Sequence, residues 1–352
     1  MNLCEKYFDI HGFLAIKLKY PKFHQYYSGI NFPFEYFEVP HVTEPNITFV
    51  IGKFDRKKTN CDIIFRNYEI DNNYIYFKRR SAGSEYEVEI EMISGKSLIV
   101  KFNWIKQRKI DLFLPYYRPQ LLILEPLIEF LLLLDGKVLL HAGAVTTPEG
   151  ASIFAGRSGS GKTSIIKFLI HQKGAHYYLG DDKVILHDGF AYAFPKNICL
   201  FDYAVSRDQS INELDVFSEK IRSLIYLLKA GSTKRNYVAK MGKVDSVYLL
   251  LTDANTDKPK VGNVDKEYVL KSMVFNNYAE YWNYYDLWEA FIAYSYYDPK
   301  FPFKNYLNLL GTALNANLAH LKCHSLALPY HPDLSMIKEV VEIVMHNNMN
   351  LN

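Results

Sequence analysis

Cysteine is scarce and unpaired in this sequence. Its four cysteines, Cys4, Cys61, Cys199 and Cys323, lie far apart with no C-x-x-C spacing. That argues against a disulfide framework or a zinc site and fits a reducing compartment. Net charge is small too: +3 over 352 residues does not point to nucleic acid or a membrane surface. Internal repeats and low-complexity tracts are missing. The opening MNLCEKYFDIHGF carries acids and no apolar core of signal-peptide length, so the expectation is a cytoplasmic protein. No apolar run satisfies the ~20 residues of a spanning helix. The most apolar stretch, residues 121–140, is broken by Glu125, Pro126, Glu129, Asp135, Gly136 and Lys137, and reads as a buried helix. What is present is an ordinary globular composition, 49% hydrophobic and 22% charged, with abundant Tyr and Phe scattered along the chain. The length suits two domains, or one with a sizeable extension.

Residues 1–118 read as a β-rich N-terminal domain. NITFVIGKF, CDIIFRNYEI, NNYIYFKRR, YEVEIEM and KSLIVKFNW are short β-branched or aromatic runs separated by turn signals such as IDNNY and SAGSE, the pattern of antiparallel meanders. A hinge at Leu114-Pro115-Tyr116-Tyr117-Arg118-Pro119 then leads into a second part, 119–352, which reads as α/β around a mixed sheet. Helices are expected at about 120–134, 211–229, 265–276, 282–294, 303–318 and 334–346, and strands at 243–252 and 326–329. A hairpin after residue 184 is expected to turn at His187-Asp188-Gly189. The aromatic segment 278–297 reads as the packing face of an amphipathic helix rather than a peptide cradle.

One motif is complete. Gly156-Arg157-Ser158-Gly159-Ser160-Gly161-Lys162-Thr163 is a G-x-x-x-x-G-K-[ST] phosphate loop. It follows the apolar strand ASIFA and opens the helical TSIIKFLIHQK, so its backbone N–H groups would meet phosphate at a helix N-terminus. The expected nucleotide-binding residues are Gly156, Ser158, Gly159, Ser160, Gly161, Lys162, Thr163 and Ser164. Lys162 would reach the β/γ-phosphates and Thr163 would ligate magnesium.

Two further pieces are expected at the same place. A helix over 163–173 carries the chain about 16 Å away from the loop. A strand over 176–180 covers about 16 Å back, so Asp181 and Asp182 arrive beside the phosphates if the two strands are parallel neighbours. The turn Thr147-Pro148-Glu149-Gly150 sets a hairpin register that puts His141 opposite Gly156.

With these residues together, the stretch resembles the C-terminal domain of HPr kinase/phosphorylase. More distantly, it is similar to ATP-dependent phosphoenolpyruvate carboxykinase. The residues that carry the resemblance are His141-Ala142-Gly143 before the loop, the loop itself, and Asp181-Asp182 after the return strand. The resemblance covers about residues 119–345. It implies a P-loop kinase domain using ATP and Mg²⁺, with Asp181 as general base, Asp182 as metal ligand with Thr163, and Lys162 and His141 in the catalytic set. The chain also departs from the family. Ser164 stands where those kinases usually carry Glu, and their glycine-rich signature near the C-terminal end is not recognisable. The N-terminal region does not match theirs either.

The expected acceptor is therefore a Ser-type hydroxyl on a peptide or small molecule rather than HPr, with maturation of peptide natural products as one setting. The alternative is a nucleotide-binding regulatory or scaffold protein that has lost the chemistry. No nucleic acid or membrane partner is expected, and a homo-oligomer stays open. Lys196, Lys234, Arg235 and Lys240 are secondary candidates for phosphate or substrate contact. An [NT]-K-x-D guanine-reading motif and an LSGGQ-like stretch are both absent from the sequence.

Overall fold

The computed structural model describes residues 3–21, 34–81, 83–93, 95, 97–107, 119–171, 176–195, 237–253, 255–280, 285–329 and 333–349. The expected hinge before residue 119 and the expected helix at 211–229 lie outside them. The fold is mixed α/β with two large mixed sheets. The described residues hold six α-helices: α1 (Glu125–Leu134), α2 (Lys162–His171), α3 (Lys266–Glu280), α4 (Tyr285–Tyr297), α5 (Tyr306–Leu318) and α6 (Leu334–Met349). The chain divides into two compact units, Met1–Asp135 with Tyr281–Tyr306, and Gly136–Glu280 with Leu307–Asn352. The helix expected to open the second part thus belongs to the first unit.

The first unit is built on a sheet of nine strands. They are β1 (Leu3–Ile10), β2 (Leu14–Pro21), β3 (Glu38–Val39), β4 (Ile47–Ile51), β5 (Asp62–Ile64), β6 (Tyr68–Asp71), β7 (Tyr74–Ser81), β8 (Ser84–Glu91) and β9 (Leu98–Lys106). Their order is β3-β1-β2-β4-β9-β8-β7-β6-β5. The antiparallel meander holds from β5 to β9, but β4 pairs in parallel with both β2 and β9, so the sheet is mixed. Alternating burial along β2 and β4 turns one face of each strand to the core.

The aromatic segment behaves as a packing face. Trp288 stacks on Phe303 with ring centroids 4.6 Å apart, and Leu287, Phe291 and Tyr294 of α4 are buried. Arg79 pairs with Asp286 and Glu289 of α4, and Tyr68 donates to Glu289 at 2.6 Å. The expected helix at 120–134 opens as a π-helical turn, Gln120–Leu124. Pro126 has no N–H to give the preceding turn, and a wider turn relieves its ring.

The second unit carries β10 (Val138–Leu140), β11 (Ala142–Thr146), β12 (Ala151–Ala155), β13 (Tyr177–Gly180), β14 (Val184–His187), β15 (Phe190–Ala193), β16 (Met241–Thr252), β17 (Lys260–Asn263) and β18 (Lys322–Leu328). The sheet runs β10-β14-β15-β16-β12-β11-β13, with β18 also paired to β16 and β17 to β18. The β14–β15 turn is where it was expected. Asp188 and Gly189 both have positive φ, 51° and 76°, as a two-residue hairpin turn requires.

The β11–β12 hairpin also has the expected register, with Ala142 opposite Ala155 and Thr146 opposite Ala151. One expectation needs correcting: β12 and β13 are not neighbours. Strand β11 lies between them and is antiparallel to both, so β12 and β13 run the same way one strand apart. The strand-length arithmetic survives because it fixes which edge the chain returns to, not which slot it takes.

Helices α2 and α6 bury against this sheet. Ile165, Ile166 and Leu169 of α2 meet Ile337, Val340, Val341 and Val344 of α6 and Phe154, Tyr248 and Leu326 of the strands. The α6 spacing is one stripe of a 3.6-residue period.

Candidate functional site

The glycine-rich loop leaves the C-terminal end of β12 and enters α2. Gly159 and Gly161 have φ of +82° and +91°, a region costly for residues bearing a Cβ. Ser160 N–H closes back on the Arg157 carbonyl at 3.1 Å, and Ile165 N–H bonds the Gly161 carbonyl at 3.0 Å. The Lys162 ammonium donates to the carbonyls of Gly156 and Arg157 at 2.7 and 2.9 Å. It is 6% exposed. Burial pulls its pKa below that of an ordinary lysine, opposed by the carboxylates of Asp182, Glu280 and Asp181.

Strand β13 ends at Gly180 and delivers Asp181 and Asp182 to the same edge. Asp181 accepts from two hydroxyls, Tyr178 at 2.7 Å and Thr163 at 3.3 Å. Burial pushes its carboxyl above the usual range and Asp182 adds to this, while the two hydroxyl bonds pull the other way. Tyr178 itself is buried, and burial with the neighbouring Asp181 raises its phenol well above the ordinary value. The Asp182 side chain is 42% exposed, and its Oδ1 faces His141 Nδ1 at 3.4 Å.

His141 sits where the chain leaves its pairing with β14 and crosses to β12 and β13. Its backbone N–H donates to Asn277 Oδ1 at 2.6 Å, and the same amide donates to the Leu139 carbonyl at 3.3 Å. His141 Nε2 faces Glu280 Oε1 at 3.5 Å. That oxygen also accepts from the Ser158 backbone N–H at 3.2 Å.

Of the expected residues, His141, Ser158, Gly159, Gly161, Lys162, Thr163, Ser164, Asp181 and Asp182 line one cavity of about 260 Å³. Gly156 contributes its carbonyl to Lys162. Ser160 turns its hydroxyl toward Gly156, where an added Cβ would lie 2.7 Å from the oxygen. Lys240 does not line the cavity, and Lys196, Lys234 and Arg235 fall outside the described residues.

Three residues at this site were not foreseen: Tyr178, Asn277 and Glu280. Helix α3 was expected to end near residue 276, and it runs to Glu280. The extra turn brings Asn277 and Glu280 in. Asn276 and Asn277 are both buried in the structure and require partners, but their burial is not visible in the sequence. Tyr178 in an apolar strand gave no signal either.

The chemistry of the donors is that of an anion site with a hard-cation edge. Loop amides and a lysine suit phosphate oxygens. The Thr163 hydroxyl and the Asp181 carboxylate supply the oxygen ligands magnesium prefers. No group of three or more His, Cys, Asp or Glu suited to a metal occurs among the described residues. Among them, too, no helix is long and apolar enough to cross a membrane. Comparison with protein-family models and with curated proteins finds no match to this chain.

Proposed function

We propose that this chain is an ATP-dependent kinase of the HPr-kinase type, transferring the γ-phosphoryl group to a Ser-type hydroxyl of a peptide or small molecule. The observation that carries the reading is the 3.3 Å hydrogen bond from Thr163 to Asp181, made across one cavity that Lys162, Asp182 and His141 also line. A glycine-rich loop alone would support phosphate binding. A carboxylate pair at its mouth adds what group transfer asks for. The cavity is smaller than the ~300–1,000 Å³ that encloses a drug-sized ligand. It therefore suits the phosphates, with the rest of the nucleotide outside.

The residues fit magnesium. Thr163 and Asp181 would hold it, and bridging phosphates and water complete a shell that rarely relies on protein alone. When bound, the ion neutralises charge on the phosphates and holds them for in-line displacement.

This geometry favours exchanging the two carboxylate roles expected from the sequence. Asp181 is bonded to Thr163 and belongs on the metal side. Asp182, more exposed and beside His141, is the better general base. In the proposed step Asp182 takes the acceptor hydroxyl proton as that oxygen attacks the γ-phosphorus. The bond from phosphorus to the β–γ bridging oxygen breaks and ADP leaves. Lys162 turns from the loop carbonyls to the phosphates, and the loop amides hold the developing charge.

The test is transfer of label from γ-labelled ATP to serine-containing peptides and small hydroxyl compounds. Wild type is expected to label an acceptor, and Asp182→Asn to lose about 10²–10⁴-fold in rate while still binding Mg²⁺-nucleotide. Equal labelling by wild type and variant would remove Asp182 from the chemistry. Nucleotide binding without transfer to any acceptor would favour the regulatory reading that Ser164 suggests.

A further inference from the structure

Glu280 touches the loop backbone itself. Its Oε1 accepts from the Ser158 N–H at 3.2 Å and lies 3.5 Å from His141 Nε2. The side chain is 24% exposed, and its place is built rather than incidental. Asn277, three residues earlier on the same helical face, is fully buried and bonds the backbone at both His141 and Leu139. That clamp holds the last turn of α3 to the end of β10 and to His141.

Backbone amides of a glycine-rich loop form a concavity for anions. A carboxylate oxygen on one of them stands in for a phosphate oxygen. Two anions cannot share that place, because the partly buried setting weakens the screening between like charges. We propose that Glu280 is a phosphate surrogate of the empty loop and the positioning residue for His141. Arrival of the terminal phosphate displaces the carboxylate from Ser158 and turns His141 Nε2 from Glu280 toward that phosphate.

The imidazole lies between two carboxylates, with Nδ1 3.4 Å from Asp182 Oδ1 and Nε2 3.5 Å from Glu280 Oε1. Displacing Glu280 leaves the ring beside Asp182 and turns its Nε2 edge to the phosphate. The displaced carboxylate also reports loop occupancy to the C-terminal turn of α3. This inference rests on the nucleotide reading above and deepens it.

The test is calorimetric titration of ATP, with and without Mg²⁺, into full-length wild type, Glu280→Gln and Glu280→Ala, with thermal melts to establish folding. Removing the competing charge is expected to tighten ATP binding about tenfold in both variants, most clearly without Mg²⁺. In turnover, KM for ATP falls and kcat falls with it, because His141 is no longer held before the phosphate arrives. A residue that merely supported the fold would weaken binding instead. If either folded variant binds ATP no tighter than wild type, the surrogate role is overturned and the nucleotide reading stands. If none of the three folded proteins binds ATP, both readings fall.

Discussion

The Tyr178 hydroxyl donates to Asp181 Oδ1 at 2.7 Å, on the opposite oxygen from the one that Thr163 reaches. Asp181 is thereby fixed in orientation, yet burial keeps its carboxyl above the usual range. The folded protein holds this proton more tightly than the unfolded chain does. Its contribution to stability is therefore favourable below about pH 4 and is lost as pH rises through the folded value. At neutral pH the ionised group opposes folding. Asp181→Asn should be more stable than wild type at pH 7.5, by about 1 kcal/mol, with the advantage vanishing below about pH 4. Thermal melts across that range check this; a variant less stable than wild type at pH 7.5 would contradict it.

Tyr178→Phe removes one of the two hydroxyl donors while keeping the buried ring. The lost hydrogen bond raises the Asp181 carboxyl further, since that bond acts to lower it. Magnesium then has to compete with a more tightly held proton. The Mg²⁺ concentration for half-maximal transfer should rise about tenfold, more at pH 6 than at pH 8. An unchanged magnesium requirement would separate Tyr178 from the metal edge.

Asn277→Ala removes the acceptor for the His141 N–H and the donor to the Leu139 carbonyl, leaving two buried backbone groups without them. The cost should be about 2–3 kcal/mol of stability, read from denaturant unfolding. Leucine should not rescue it, because the deficit is polar. A loss below about 0.5 kcal/mol, the range of ordinary surface changes, would mean that the clamp does not hold α3 in place.

Gly180→Ala tests the turn that presents the carboxylate pair. A Cβ there would lie 2.2 Å from the Lys183 carbonyl oxygen, so the backbone of the reversal has to shift. A cost of about 1–3 kcal/mol follows from such overpacking. Phosphoryl transfer should fall more than nucleotide affinity, because the loop and Lys162 stay where they are. Equal losses in the two assays would show that the strain spreads into the loop.

Most of the cavity lining was legible before the structure, for a specific reason. Loop, aspartate pair and histidine each sit at a strand end, and strand and helix lengths are set by rise per residue. Register follows from turn length, which is why Ala142 meets Ala155 as expected. Neighbour relations were less accessible. The slot that β11 takes between β12 and β13, and the parallel pairing of β4 with β2 and β9, depend on long-range choices that local patterns do not encode. Glu280 was hidden for the same reason: its partner Ser158 is far away in the chain.

The glycine-rich loop motif, the edge of the sheet to which Asp181 and Asp182 return, and the register that brings His141 there were all readable from the order of residues. These are consequences of backbone periodicity and turn chemistry, which act over a few residues. Packing across the chain settled that Thr163 bonds Asp181, that α3 continues to Glu280, and that Glu280 rests on the Ser158 amide. Those outcomes depend on buried polar groups finding partners across distant parts of the chain, and such pairing is settled only when the sheet and its helices pack.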